Sequence, residues 1–472
     1  MTEKPKTNPP KSESGTTRRK FIAASAGTAA VASTLPVESY AQVAGSDELK
    51  VGMIGCGGRN SGAIVQNLTA NDGARLVAIA DAFQDKIDGT GPRGKGLPLI
   101  QKQLDSQGKA KQVDVPDSRQ YAGFDAYKQV IDQVDVVCIA TPPGFRPIHF
   151  EYAVQAGKHV FMEKPVCVDA HGYNRVIEAA KLADQKNLKV VVGLQRHYQN
   201  SYLEAFKQVS ENGLLGDIIG AQCWWNGNRP WIIPREDGWT EMEYQMRNWY
   251  HFVWLCGDHI AEQHVHNIDV INWFISGDSA MGGNPISAQG MGGRAGTEPL
   301  SVGEIFDHHY VEFRFGEEHN HAVMNSQCRH IKGTWRKVAE EIHGTDGIAY
   351  LGGNNPTITD LKGKTKWTYR TPRGQQDPNP YQVEHDELYR HIREDKPINN
   401  AYYAAKSSFT TALGRLATYS GQEITWDEAV KSDFSIMPEV FAFDAEPPVK
   451  PDENGNYSIP IPGEWPLPWK KA

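Results

Sequence analysis

LKVGMIGCGGRNSGAIVQNL, Leu49 to Leu68, decides how this chain of 472 residues is read. A short apolar run leads into a glycine-rich turn and then into apolar residues at helical spacing, the strand–turn–helix context of a dinucleotide-binding fingerprint. Gly55 permits the tight turn. Gly57 lets the backbone approach a pyrophosphate, which the amides and dipole of the following helix meet, with Gly58 and Arg59 in the same turn. Asn60 stands where G-x-G-x-x-G has its third glycine. That position serves close helix–strand packing, so the expectation is a slightly displaced helix, relieved by Gly58 and Gly62.

Working outward, ARLVAIAD ends on Asp81, twenty-six residues after Gly55, where a carboxylate can accept hydrogen bonds from ribose hydroxyls. No arginine follows at once in AFQDK, and a carboxylate repels a 2′-phosphate, so NAD is favoured over NADP. An insertion from Gly89 to Asp117 should hold one extra helix. VDVVCIATPP then reads as a buried strand closed by Thr141, Pro142 and Pro143, and PIHFEYAVQAGK as an amphipathic helix. HVFMEKP and KVVVGLQRHY supply two further strands. Alternating elements of these lengths imply α/β architecture with a doubly wound parallel sheet, a Rossmann domain over residues 47–195. Ligands of such sheets bind beyond the carboxyl ends of the strands, where Glu163, Lys164 and Pro165 lie.

Strand-G-x-G, CIATPP and EKP in this order resemble the glucose-fructose oxidoreductase / inositol dehydrogenase / MocA (Gfo/Idh/MocA) family. The resemblance covers essentially the whole chain beyond its first forty residues. It implies that Lys164 lies beside a nicotinamide and contacts the reacting hydroxyl, and that the peptide before Pro165 is often cis. Glu163 and Gln195 would join the cofactor site and Arg196 the substrate site. It also implies a C-terminal α+β domain, residues 196–445, with a largely antiparallel open sheet, which the strand-like segments around YVEFRF and GTDGIAYL suit.

The stretch from Trp224 to Asp258 is rich in aromatic rings, whose faces suit the C–H surfaces of a sugar. Trp224, Trp225 and Trp254 serve equally as core packing, whereas Trp249 and Tyr250, close to the next helix, are the better candidates for a substrate wall. On a helical wheel, DHIAEQHVHNIDVINWF places Ala261, Val265, Ile268 and Ile271 on one face and His259, Glu262, His266, Asp269 and Trp273 on the other. His264 falls on the apolar side and reads as a core histidine. The family pattern here is D-x-G-x-H-x-x-D, matched by Glu262, His264, His266 and Asp269, so Glu262 replaces the first aspartate and His264 the glycine. The resemblance makes His266 and Lys164 catalytic, with Glu262 touching a substrate hydroxyl or orienting His266. His259, Glu262 and His266 on one face raise the question of a metal. H-E-x-x-H is absent and the family needs no metal, so none is expected.

A twin arginine, Arg18–Arg19, precedes a weakly apolar Ala/Gly/Ser stretch and a small-x-small site ending at Ala41, which reads as a twin-arginine export signal over residues 1–41. The expected location is therefore the periplasm or beyond. The formal charge of −8 argues against nucleic acid, and no apolar run is long enough to span a bilayer. Six scattered cysteines show neither C-x-x-C nor zinc-finger spacing. The Pro/Trp-rich tail, residues 446–472, looks like an arm over a partner or its own domain. The expected protein is an exported, homo-oligomeric oxidoreductase with tightly held NAD. It would move hydride from a secondary hydroxyl of a sugar or glycoside, with C3 the leading expectation for the carbon oxidised, to nicotinamide, with reoxidation by a second sugar or a redox partner. Two readings compete with it: a redox-neutral glycosidase working through transient C3 oxidation and elimination, and a non-catalytic sugar-binding protein.

Overall fold

Leu49–Ile54 (β1) is buried at every position except Lys50 and lies inside a sheet of six strands. Its companions are Ala74–Asp81 (β2), Gln120–Ala122 (β3), Val136–Ile139 (β4), His159–Met162 (β5) and Val190–Val192 (β6), in the order β3-β2-β1-β4-β5-β6. Every neighbouring pair is parallel, as in a doubly wound dinucleotide fold. Runs such as VVCI and VVV are wholly buried because apolar clusters form on both faces of the sheet. The computed structural model describes residues 48–277, 282–296, 299–353, 355–371 and 373–470. The expected export signal at 1–41 lies outside the described residues.

The glycine-rich turn is built as the fingerprint requires, with one correction. Gly55 has φ +88°, and a Cβ there would stand 2.9 Å from the Ala140 carbonyl oxygen. The helix Gly58–Ala70 follows directly. Asn60 is not a packing compromise: it is buried, and its Nδ2 donates to the carbonyls of Ile54 (2.9 Å), Gly55 (3.0 Å) and Cys138 (3.2 Å). The amide thus clamps the turn to the carboxyl ends of β1 and β4, where a glycine would only have made room. The insertion carries its expected helix, Gly96–Ser106, after a short helix Gln84–Ile87.

The second sheet holds nine strands: Ile218–Asn226 (β7), Ser287–Gly293 (β8), His308–Arg314 (β9), Val323–Arg329 (β10), Lys337–Gly344 (β11), Ile348–Tyr350 (β12), Thr357–Thr359 (β13), Thr365–Thr368 (β14) and Ile424–Thr425 (β15). Their order is β14-β13-β12-β11-β7-β10-β9-β8-β15, antiparallel throughout except for β7 with β10. Alternation assigns the faces: Cys223, Val311, Phe313, Met324 and Ile342 point inward beneath the helices Val265–Ser276 and Ala401–Ser420. Ile219, Met291 and Tyr310 stay exposed on the other side.

Two late helices tie the sheets into one unit, Ala41–Ala472. Helix Pro380–Arg393 returns to the first sheet, where Tyr389 Oη donates to Asn67 (2.7 Å) and Asn67 meets His385 (3.2 Å). Helix Ala401–Ser420 spans both cores: Ala401, Ala404 and Ala405 lie in the first, and Phe409, Leu413 and Leu416 in the second. The tail covers its own unit, burying Tyr457 and Leu467. All six cysteines are free and buried.

Asn60→Ala should destabilise the protein by about 1–3 kcal/mol, because buried carbonyls lose their donor. Urea denaturation checks this, and an unchanged midpoint would remove the clamp.

Candidate functional site

Lys164 follows the end of β5, which delivers it to the carboxyl edge of the parallel sheet. Its backbone is held on both sides: Glu163 N donates to Ile139 O (2.9 Å), and Arg146 donates to Pro165 O (2.7 Å). The Lys164–Pro165 peptide is cis. Glu163, expected at the cofactor, instead turns its carboxylate to Arg59 (2.5 Å), which also meets the buried Glu384 (3.3 Å). The ammonium of Lys164 donates to the backbone carbonyl of Glu262 and lies 3.3 Å from its Oε1.

That contact exists because the expected single helix is broken. One short helix, His259–Glu262, ends before Gln263 and His264, and a second begins at Val265. In a continuous helix the Glu262 carbonyl would accept from His266 N. Here His266 N turns to Gln263 O (3.4 Å), and the Glu262 carbonyl is released to Lys164. The single-helix wheel is therefore corrected. Glu262 reaches Lys164 with both carbonyl and carboxylate, whereas His259 is drawn away into a buried cluster with Asp258 and His309 rather than facing the substrate.

His266 opens the second helix, its ring stacked on Trp225 at 5.9 Å between centroids. Burial, then the charges of Lys164, Arg196 and Arg59, hold its pKa well below the usual imidazole value. It is thus a neutral base at physiological pH. Behind it, Glu340 is fully buried and accepts from Arg196, Asn267 (2.5 Å) and Tyr202 (3.0 Å). Arg196, expected at the substrate, is committed to that carboxylate. Asp269 is likewise engaged, by His197 (2.8 Å) and Ser407 (2.8 Å). His264 is a buried core histidine on Ser326 (2.8 Å).

Two cavities share residues with the surroundings of this centre, the larger through Arg59 and the smaller through Trp225. The larger, ≈ 610 Å³, is lined by Gly55, Gly57, Gly58, Arg59, Asn60, Asp81, Thr141 and Pro142. A dinucleotide fits its chemistry. No side chain caps the helix Gly58–Ala70, so its first amides are left for an anion, and a Cβ at Gly57 would meet nothing within 4 Å. Asp81 is poised there, accepting from Cys56 N (2.7 Å) and Phe83 N (3.0 Å), with burial raising its pKa. Pro143, Glu163, Lys164 and Gln195 do not line this cavity; Gln195 buries an Oε1 that makes no hydrogen bond. Trp249 does line it, packed edge-on against Trp231 at 5.7 Å between ring centroids, and Tyr250 is buried. No arginine follows Asp81 at once in sequence, but folding brings Lys86, Arg93 and Arg247 into the same cavity.

The smaller cavity, ≈ 390 Å³, is lined by Trp225, Asn226, Asn228, Gln263, Arg336 and Lys337. Trp225, which the sequence left equally open as core, thus borders both this cavity and His266. The alternation along β7, which turns Cys223 inward, was the available signal. Glu340 had none, since a charged residue in EEIHG reads as solvated until Arg196 arrives.

Residues 49–194 match the family model GFO_IDH_MocA, an oxidoreductase family with an NAD-binding Rossmann fold. Inositol 2-dehydrogenase of Klebsiella pneumoniae (strain 342) is 27% identical over 233 residues, 49% of this chain and 55% of that protein. The scyllo-inositol 2-dehydrogenase (NADP(+)) IolW of Bacillus subtilis (strain 168) is 33% identical over 133 residues, 28% of this chain and 34% of that one. The chain spans about half the length of the curated relatives it matches. Among solved structures, aldose-aldose oxidoreductase from Caulobacter crescentus, complexed with glycerol, shares the fold at TM-score 0.58 and 18% identity, covering 80% of this chain and 99% of that one.

The buried histidines predict acid sensitivity. His266 is held low, and burial takes His149 and His264 down to about 3, so below pH 6.5 the unfolded chain binds protons that the folded chain refuses. Their contribution is complete above 6.5 and is lost as pH falls; His259, raised by its neighbours against burial, opposes it alone among these four. The urea midpoint should be lower at about pH 5.5 than at about 7.5, and the reverse order would contradict these environments.

Proposed function

We propose that this chain, whose residues 49–194 match the Gfo/Idh/MocA-family NAD-binding domain, is an oxidoreductase acting on a secondary hydroxyl of a sugar or glycoside, with C3 the leading expectation for the carbon oxidised. The observation that carries this reading is the contact of Lys164 with Glu262 at the carboxyl edge of the parallel sheet, with His266 stacked on Trp225 and near enough to feel the charge of Lys164. Bound nicotinamide dinucleotide supplies a two-electron acceptor. His266, neutral at working pH, takes the hydroxyl proton. Lys164 donates to the oxygen as negative charge develops, and Glu262 fixes the direction of the ammonium. Trp225 offers a face to the ring, and the polar side chains of the adjoining cavity suit its hydroxyls.

Lys164→Ala and His266→Ala should each lower turnover by a factor on the order of 10² or more in folded protein, whereas His264→Ala should lower stability instead. A glycoside panel followed by mass spectrometry is the test. Loss of two hydrogens supports the reading, release of the aglycone points to the redox-neutral glycosidase, and an inert protein sinks both.

NAD is the proposed dinucleotide because Asp81 presents a carboxylate in the cavity. With residues 1–41 acting as a twin-arginine export signal, the cofactor is loaded before export and retained, so reoxidation happens in place by a second sugar carbonyl or a redox partner. The exposed Ile219, Met291 and Tyr310 on the outer sheet face support a homo-oligomer. Exhaustive gel filtration followed by denaturation should release about one NAD per chain, consistent with tight binding to the folded state. Recovery of NADP would overturn the cofactor choice, and an empty protein active only with added NAD would overturn retention.

A further inference from the structure

The smaller cavity, ≈ 390 Å³, is formed by the carboxyl end of β7 and the first residues of β11. Trp225 lines it and stacks on His266, so the cavity adjoins the proposed reacting centre. Val338 is the cross-strand partner of Trp225 and shares its face of the sheet. Arg336, two residues earlier, is in phase with Val338 and lines the same cavity.

The charges around this cavity do not cancel. Glu262 is taken by Lys164 (3.3 Å), Glu340 by Arg196, and Glu341 by Lys337 (3.2 Å). Lys337 is held a second time, its ammonium 3.4 Å from the centroid of the Trp224 ring. Arg336 makes no ion pair or hydrogen bond among the described residues, and no Asp or Glu among them lines the cavity. Two amides add direction. Asn226 is buried; its Nδ2 donates to Gln327 Oε1 (2.9 Å), but its Oδ1 makes no hydrogen bond. A buried acceptor left unpaired is costly, and a hydroxyl entering the cavity would supply the missing donor. Gln263 meets His330 through Oε1 (2.8 Å), which leaves its Nε2 hydrogens for an acceptor.

From this arrangement we infer that the substrate is an anionic sugar, a uronic acid or its glycoside, whose carboxylate is held by Arg336. The inference rests on the reading of Lys164 and His266 as the reacting centre and adds a substrate class to it. The planar fork of a guanidinium matches a carboxylate with two parallel hydrogen bonds, and one unpaired guanidinium balances one carboxylate. A phosphate monoester carries about −1.5 to −2 at neutral pH and calls for a second uncommitted cation, whereas Lys337 already serves Glu341. Trp225 takes the C–H face of the ring, while Asn226 Oδ1 and Gln263 Nε2 meet its hydroxyls as acceptor and donor. Arg336 therefore decides specificity and takes no part in the transfer of proton or hydride.

Titration calorimetry on the full-length protein compares methyl glucuronide with methyl glucoside, and methyl galacturonide with methyl galactoside. At least one uronide should bind about tenfold or more tightly than its neutral counterpart, and the preference should shrink as salt is raised. Arg336→Gln removes the charge at an exposed position, and the preference should disappear in variant that circular dichroism shows to be folded. Should the variant not fold, the preference of the unmodified protein and its salt dependence still decide. Equal binding of acidic and neutral sugars, no binding of either uronide, tighter binding of glucose 6-phosphate, a preference indifferent to salt, or one that survives in folded Arg336→Gln each overturns the inference. Oxidation of neutral glycosides without any uronide preference would overturn it and leave the oxidoreductase reading intact. A uronide preference lost in Arg336→Gln, with no change in nicotinamide absorbance, would overturn that reading and leave the anion specificity standing.

Discussion

The contact between Lys164 and Glu262 requires two interruptions of regular structure. A strand must end where Lys164 can leave the sheet, and a helix must end where the carbonyl of Glu262 can leave its ladder. A helical carbonyl is ordinarily consumed four residues on, so a lysine could reach only the carboxylate. The break at Gln263 and His264 gives the ammonium a neutral acceptor and an anionic one together. Both partners are largely removed from water, with side chains 12% and 16% exposed, which strengthens the pairing and limits the directions in which the ammonium can point.

Such a contact has value only if its two halves do not move apart, since Lys164 belongs to the first sheet and Glu262 packs with the second. The chain meets this need late, with a helix that returns across the boundary. Helix Ala401–Ser420 places small alanines in one core and Phe409, Leu413 and Leu416 in the other, so neither sheet can shift without opening a cavity. Helix Pro380–Arg393 packs against the first sheet's side alone, with Glu384 meeting Arg59 beside the glycine-rich turn. Arg59 in turn meets Glu163, next to Lys164. A chain of charges therefore runs from the late helix to the strand end, with the carboxylates of Glu163 and Glu384 buried and Arg59 partly exposed between them, and removing Arg59 would leave two buried carboxylates uncompensated.

His266 illustrates how the surroundings set chemistry. Buried and near three cations, its ring is kept neutral, and so has a lone pair free for the proton that the proposed reaction assigns to it. The same cations favour negative charge on a substrate oxygen nearby. Glu340 holds Arg196 at the distance where it acts on His266 by field rather than by contact, so a residue invisible as a candidate helps set the base.

The parallel sheet and its glycine turn, with Asp81 at the end of β2 and Lys164 just past β5, were legible in the chain because their signals are local: apolar runs of strand length, glycines at fixed offsets, an acid at the end of the second strand. Local pattern also separated His264 from His266. It failed where a side chain's partner comes from far along the chain. Asn60 became a clamp because Cys138 O lies above it, Arg196 became a buried partner because Glu340 arrives from β11, and Trp249 joined the dinucleotide cavity because its segment folds back over the first sheet. The helix break is the sharpest case. Amphipathic periodicity continues straight through Gln263 and His264, and only the pull of Asp258, His309 and Tyr419 on one side, with Lys164 on the other, makes two short helices cheaper than one long one. Periodicity records which face is apolar and so chooses the elements. Which hydrogen bonds those elements give up is chosen by partners the chain meets only after folding.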